Sequence, residues 1–177
     1  MRAALALFSA HGYEATSMRA IAKDAGVDPS LPRHYFPSKS ALFVESLGPL
    51  DQLEGNIGLI TSGPVDRLGE RMMGAFLAVW DSPELNARMR ILVQSAAGTP
   101  EIAEIARGLL FERLFLRVAT SVGPEDAHAR AAAALSQVIG LVVTRYILRV
   151  EPVASAPREE IIRRFAPNVQ RLITGTT

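Results

Sequence analysis

Apolar residues recur three and four positions apart along almost the whole chain, and β-branched residues nowhere alternate with polar ones over a useful length. That spacing puts one apolar stripe on each helix, so an all-α fold is expected. Gly and Pro supply the punctuation: Gly12, Gly26 with Pro29, Pro37, Gly48-Pro49, Gly63-Pro64, Pro83, Gly98 with Pro100, Gly123-Pro124, and the stretch from Pro152 to Pro157. Four short helices are expected at about 1–11, 18–25, 29–36 and 39–47, and longer ones at about 64–81, 84–97, 100–122, 125–150 and 157–174. The segment from Pro49 to Ser62 has no clear assignment. A chain of 177 residues can bury a sizeable core without staples.

The absence of cysteine excludes disulfides, thiolate metal sites and cysteine nucleophiles. The three histidines, His11, His34 and His128, are scattered, and there is no phosphate-cradling glycine loop, nucleophile elbow or metal-ligand spacing. No catalytic residue, metal or cofactor is expected. Met1-Arg2-Ala3 runs straight into an amphipathic pattern with no cleavable apolar leader, which leads to a cytoplasmic address. Ser136, Gln137 and Gly140 interrupt the most apolar stretch, Ala131 to Val143, so no membrane span is expected. A net charge of +1 neither favours nor excludes a nucleic-acid partner.

Local pattern narrows the choice in the first 47 residues. Ala4, Leu7, Phe8 and His11 share one helix face, with Gly12 where a left-handed residue is wanted. Either Thr16 or Ser17 offers a hydroxyl cap to a second helix with the buried stripe Met18, Ile21, Ala22 and Ala25, ended by Gly26. Asp28-Pro29 then restarts a third helix. This is the layout of a helix-turn-helix.

The ordered run Leu7-Phe8, Gly12-Tyr13, Thr16-Ser17, Ile21-Ala22, Ala25-Gly26-Val27, Tyr35-Phe36 and Ser38-Lys39 closely resembles the N-terminal domain of the TetR family, over residues 3 to 47. The resemblance implies a tetracycline-repressor-like architecture: a helix-turn-helix domain with its connecting helix over 1–47, and a ligand-sensing, dimerising helical domain over 48–177. It implies a homodimer reading a roughly palindromic double-stranded DNA operator as a transcriptional regulator, usually a repressor released by a small molecule. Pro32 stands where the family usually has leucine or valine, so the recognition helix either lacks a backbone bond or starts nearer Leu31. The chain starts later than is usual, so the flexible basic arm that many relatives carry is expected to be either absent or removed. The head carries five basic against four acidic residues, a net of +1. Low local charge and Pro32 leave open an alternative, a helical ligand-binding or interaction protein with a weakened DNA-binding head.

If the third helix enters a major groove, Pro29, Ser30, Leu31, Arg33 and His34 face bases or the groove edge. Arg33 either grips guanine O6 and N7 or pairs with a phosphate, and His34 either contacts DNA or is solvated. Tyr35 either packs as core or gives its hydroxyl to a phosphate while its ring covers Phe36, and the resemblance favours the second role. Thr16, Ser17 and Arg19 open the second helix, where free amides suit a phosphate. Lys39 sits in the first turn of a helix, an unfavourable place for a cation unless an anion is close, and a phosphate would supply one.

Beyond the head, Met72, Met73, Phe76, Trp80, Met89, Phe111 and Phe115 either line a pocket for a small apolar effector or pack as core. The run from Leu109 to Val118, apolar nearly all round, is expected to lie between two layers. Leu135, Val138, Ile139, Val142 and Tyr146 form one apolar surface, and Ile162, Phe165 and Val169 a second, bent at Pro167. Two such helices per subunit can close a four-helix bundle across a two-fold axis, or can both be core. The segment Gly140 to Ser155, with Thr144-Arg145-Tyr146 and Glu151-Pro152, is similar to the C-terminal domain of an actinobacterial-type TetR subgroup, which favours the dimer.

Overall fold

The structure, a computed structural model, describes residues 1–48 and 57–175, and among them there is no strand. The helices are α1 (Arg2–Ala15), α2 (Met18–Asp24), α3 (Leu31–Tyr35), α4 (Lys39–Ser46), α5 (Leu68–Asp81), α6 (Pro83–Gly98), α7 (Pro100–Ala106), α8 (Arg117–Val122), α9 (Ala127–Val142) and α10 (Arg158–Thr174). A 3₁₀ turn, Val65–Arg67, precedes α5, and π-helical turns at Arg107–Leu116 and Val143–Ile147 follow α7 and α9. Of the segment without assignment, 49–56 lies outside the described residues, while 57–61 is helical.

The chain divides into two compact units: residues 1–48 with Pro83–Ala106, and residues 57–82 with 107–175. In the first, α1 and α4 enclose an aromatic core. Phe8 and Phe43 meet edge to face at 5.1 Å, Tyr13 and Phe43 at 5.3 Å, and Phe8 stacks on Tyr13 at 5.8 Å. Gly12, expected to end α1, instead makes a kink inside it, with φ 79°. The chain resumes one helical turn before Thr16, whose N–H donates to the Tyr13 carbonyl.

The hairpin of α6 and α7 packs in the same unit. Ile91, Leu92 and Ile102 are buried there. Its polar contacts reach both supporting helices. Tyr13 Oη donates to Glu101 Oε2 at 3.1 Å, Thr99 Oγ1 to Glu14 Oε1 at 2.9 Å, and Arg88 Nη1 to the Leu47 carbonyl at 3.2 Å. Burial first, and the bond to Glu101 second, push the Tyr13 hydroxyl up to about 12, so it remains a donor at any physiological pH.

In the second unit the core gathers Leu68, Met72, Met73 and Leu77 from α5, Phe115, Val118 and Ala119, the α9 stripe Ala131, Ala134, Val138 and Leu141, and Ile161, Ala166, Val169 and Ile173 from α10. Only Phe115 in the first π-helical turn is buried, and Leu109, Leu110, Phe111, Leu114 and Leu116 are half-buried. The expectation of a run wrapped on both sides is therefore not met within one subunit, because the wide turn spreads apolar side chains around its axis.

The helical run Ala127–Ile147 is longer than the apolar stretch read from sequence, and by length and composition, with mean hydropathy 1.2, it could cross a bilayer. Its inward stripe is committed to the core. Arg130 and Arg145 lie within the same run, which also argues against lipid.

Helices α5 and α10 approach closely at Gly69. A Cβ there would lie 2.4 Å from the Ala166 carbonyl oxygen and 2.8 Å from the Gln170 nitrogen, both rigid backbone atoms. Gln170 exploits the proximity: its amide oxygen accepts from the Gly69 N–H at 2.6 Å and its NH₂ donates to the Val65 carbonyl at 2.7 Å, serving the start of α5. Gly69→Ala is expected to destabilise the protein by roughly 2–3 kcal/mol through forced separation of the two helices. Urea denaturation monitored by circular dichroism measures it, and an unchanged midpoint would show that the helices can separate freely.

Candidate nucleic-acid interface

The turn between α2 and α3 is built by local chemistry. Ser17 is the true N-cap of α2, its hydroxyl accepting from the Ala20 N–H at 3.1 Å. Ala25 ends the helix, and Gly26 at φ 66° lets the Val27 N–H reach back to the Ala22 carbonyl at 3.0 Å. Asp28 then accepts from both the Ser30 N–H, at 2.8 Å, and the Ser30 hydroxyl, at 2.6 Å. These two bonds hold the Asp28 carboxyl below the usual carboxylate range. They also keep Pro29 and Ser30 in the turn, so α3 starts at Leu31 rather than at 29 as expected, with Pro32 in its first turn. Pro32 is buried and anchors α3. The proline thus occupies an inward position and leaves the outward ones to other residues.

Those outward positions form one exposed face. Leu31 is 39% and Tyr35 68% exposed, with Arg33 and His34 exposed beside them and Pro29 and Ser30 on the adjoining turn. The Tyr35 ring meets the His34 imidazole edge-on at 5.2 Å, not the Phe36 ring as expected. Ser17 and Arg19 are exposed at the start of α2. Among the described residues neither Arg19 nor Arg33 has an ion-pair or hydrogen-bond partner, so both guanidiniums are free for phosphates or base edges.

One of the expected DNA contacts is corrected, and a second residue proves to have an internal partner as well. Thr16 is 3% exposed, its hydroxyl on the Gly12 carbonyl at 2.8 Å and the Leu7 carbonyl at 3.2 Å, so it braces the α1 kink instead of meeting DNA. Lys39 does have the anion-like partner that its place in a first turn demands, but the partner is internal. Its Nζ donates to the Tyr13 carbonyl at 2.9 Å and sits 4.1 Å from the centroid of the Tyr13 ring. The carbonyls at the end of α1, the negative pole of that helix, offset the positive pole of α4.

The residues assigned to an effector pocket divide between the two units. Met72, Met73 and Phe115 fill the core of the second unit, and Phe76 and Phe111 lie half-buried at its margin. Trp80 is buried and stacks on Tyr146 at 5.2 Å. The Tyr146 hydroxyl, pushed up to about 12 chiefly by burial and then by its bond to Asp81, donates to Asp81 Oδ1 at 2.8 Å. Met89 belongs to the other unit, because α6 packs with the head. A groove of about 700 Å³ lies elsewhere, along α10 and the start of α5, lined by Asp66, Glu70, Glu159, Ile162, Arg163, Ala166, Pro167, Gln170 and Arg171.

The dimer assignment also divides. Val138, Val142 and Val169 are at most 2% exposed inside their own subunit and cannot meet a partner. Leu135, Ile139, Ile162 and Phe165 are half-buried, as is Tyr146.

An exposed recognition face on a helix-turn-helix, carried by an all-helical chain, defines a DNA-binding regulator. Residues 1–45 match the bacterial regulatory proteins of the tetR family, and residues 66–173 match the tetracyclin repressor-like C-terminal domain. The chain belongs to the TetR family of DNA-binding transcriptional regulators.

The HTH-type transcriptional repressor KstR of Rhodococcus jostii is 31% identical over 77% of this chain and 65% of its own length, so the chain spans a little less than two thirds of that relative. The HTH-type transcriptional regulator BetI of Agrobacterium fabrum is 30% identical over 88% of this chain and 79% of its own length. A TetR-family regulator from Streptomyces coelicolor has a similar structure, with a TM-score of 0.72 and 33% identity over 98% of this chain and 91% of that one.

Proposed function

We propose that the protein is a homodimeric transcriptional repressor that binds a palindromic operator in the cytoplasm and is released by a small apolar effector. In this reading residues 1–47 are the DNA-binding domain, residues 48–177 the sensing and dimerising domain, and no residue is catalytic. The observation that carries it is the exposed α3 face with Arg33 unpaired and Pro32 turned inward. The similarity to KstR repressors supports the sign of regulation. The half-buried Leu135, Ile139, Ile162 and Phe165 supply the apolar surface from which a two-fold bundle can be built. Two copies would set their α3 helices in successive major grooves ~34–36 Å apart.

Titrating the purified protein against labelled fragments of its own upstream region tests this. Saturable, sequence-dependent binding is expected, with a footprint of two half-sites and affinity falling steeply with salt. Arg33→Ala is expected to weaken it by roughly 5- to 150-fold, the range of one bidentate guanine contact. Binding that is weak and blind to sequence would sink the reading and favour a helical ligand-binding protein with an inactive head.

A further inference from the structure

The turn that leads into α3 spends its hydrogen-bond donors on itself. Pro29 carries no N–H. The Ser30 N–H and the Ser30 hydroxyl both donate to Asp28 Oδ1, at 2.8 Å and 2.6 Å, and the Leu31 N–H donates to the Asp28 carbonyl at 3.0 Å. From Pro29 to Leu31 only acceptors are left over. Asp28 Oδ2 has no hydrogen-bond partner among the described residues, and Asp28, Pro29 and Ser30 are all exposed. The two bonds from Ser30 hold the carboxylate in place, so Oδ2 is presented from a fixed position.

In a helix-turn-helix this stretch is the leading edge of the recognition helix in the major groove. Phosphate oxygens, guanine N7 and O6, and thymine O4 are all acceptors, and a carboxylate repels each of them. The donors in that groove are the amino groups of cytosine and adenine. Adenine sets its amino group beside the acceptor N7, whereas cytosine shows a donor alone. We propose that Asp28 is a specificity-determining residue: its Oδ2 accepts from the N4 amino group of one cytosine in each half-site and turns away guanine and thymine at that position. The proposal rests on the reading of the chain as a DNA-binding regulator and adds the identity of one base to it. The bonds from Ser30, which hold the Asp28 carboxyl below the usual carboxylate range, keep it ionised and therefore acceptor-only. Its charge opposes the approach to phosphates at every sequence alike, and that cost is offset only where a cytosine stands, so Asp28 discriminates by exclusion. Arg33, which carries donors only, suits the opposite kind of base edge, so the two side chains ask for different bases.

The test selects duplexes from a random-sequence pool with the full wild-type chain, with Asp28→Asn and with Arg33→Ala. The asparagine oxygen still accepts from Ser30, so the turn is kept and the thermal midpoint should stay within about 3 °C of wild type. Its side chain also donates, and it carries no charge, so it tolerates acceptor edges. Wild type is expected to select half-sites with one constant cytosine. Replacing that C·G pair by G·C in one half-site should weaken wild-type binding by roughly 5- to 50-fold and Asp28→Asn binding by less than about 3-fold. Asp28→Asn should also bind a duplex without the site more tightly than wild type does. Half-sites with no constant cytosine, or an equal penalty for the replacement in wild type and Asp28→Asn, would overturn the assignment. So would a cytosine preference that disappears in Arg33→Ala and persists in Asp28→Asn, because the arginine would then be reading the guanine of the pair. If wild type selects no sequence at all, the regulator reading fails first and the assignment falls with it.

Discussion

Phe43→Ala is expected to lower stability by about 3–5 kcal/mol, a large part of the ~5–15 kcal/mol that holds a typical domain folded, and to abolish DNA binding. Phe43 is fully buried on α4, and its ring is the edge-on partner of both Phe8 and Tyr13. Truncation removes the apolar transfer energy, two favourable ring contacts and the filler at the α1–α4 junction. The neighbours cannot close the gap cheaply, because Phe8 and Tyr13 are set by the kink at Gly12 and by the Lys39 bond to the Tyr13 carbonyl. DNA binding fails with packing because α3 is a five-residue helix with no stability of its own. Thermal melts by circular dichroism and anisotropy on a labelled fragment of the upstream region measure the two losses together. A variant that melts near wild type would mean that this aromatic cluster is not what holds the head.

Much of the head is legible in sequence because its determinants are local. The caps, Gly26 and the Pro32 alternative each concern residues a few positions apart, and the structure realises the start at Leu31 through bonds between Asp28 and Ser30. Of the two adjacent hydroxyls that could cap α2, only the kink decides: it turns Thr16 inward and leaves Ser17 to cap. The apolar stripes of α9 and α10 are also legible, but a stripe does not say whose core it joins. Val138, Val142 and Val169 face their own subunit, while Leu135, Ile139, Ile162 and Phe165 on the same two helices are half-buried. Residue type alone suggests an effector pocket, and it cannot place Met89 in a different unit from Met72. The bonds from α6 and α7 to α1 and α4 leave no pattern, since their partners are 41 to 88 positions apart.

Arg130 is the extreme case of a residue that sequence periodicity ignores and the fold depends on. It lies in the first turn of α9, beside the positive pole of that helix, where a cation is disfavoured. Its guanidinium is compensated by carbonyls at the negative ends of two other helices: Ile173 of α10 at 2.5 Å, and Ala119 at 3.2 Å and Gly123 at the end of α8. It also reaches the Glu125 carbonyl, at 2.9 Å through Nη2 and 3.1 Å through Nε. Only a planar fork of five N–H groups can serve so many acceptors at once, so lysine is a poor substitute.

Arg130→Met keeps the aliphatic stem and takes the guanidinium donors away from these carbonyls. A loss of about 3 kcal/mol is expected, or roughly 6–12 °C in Tm. Arg163→Ala provides the comparison: its side chain is 75% exposed and lies 4.0 Å from Glu160, an exposed pair of the kind that contributes ~0–1 kcal/mol. Because the acceptors of Arg130 are neutral carbonyls, its contribution should change little between low and high salt, unlike that of a surface ion pair. An Arg130→Met melt that coincides with Arg163→Ala, or a loss that vanishes in high salt, would show that Arg130 acts as a surface charge and not as the tie between α8, α9 and α10.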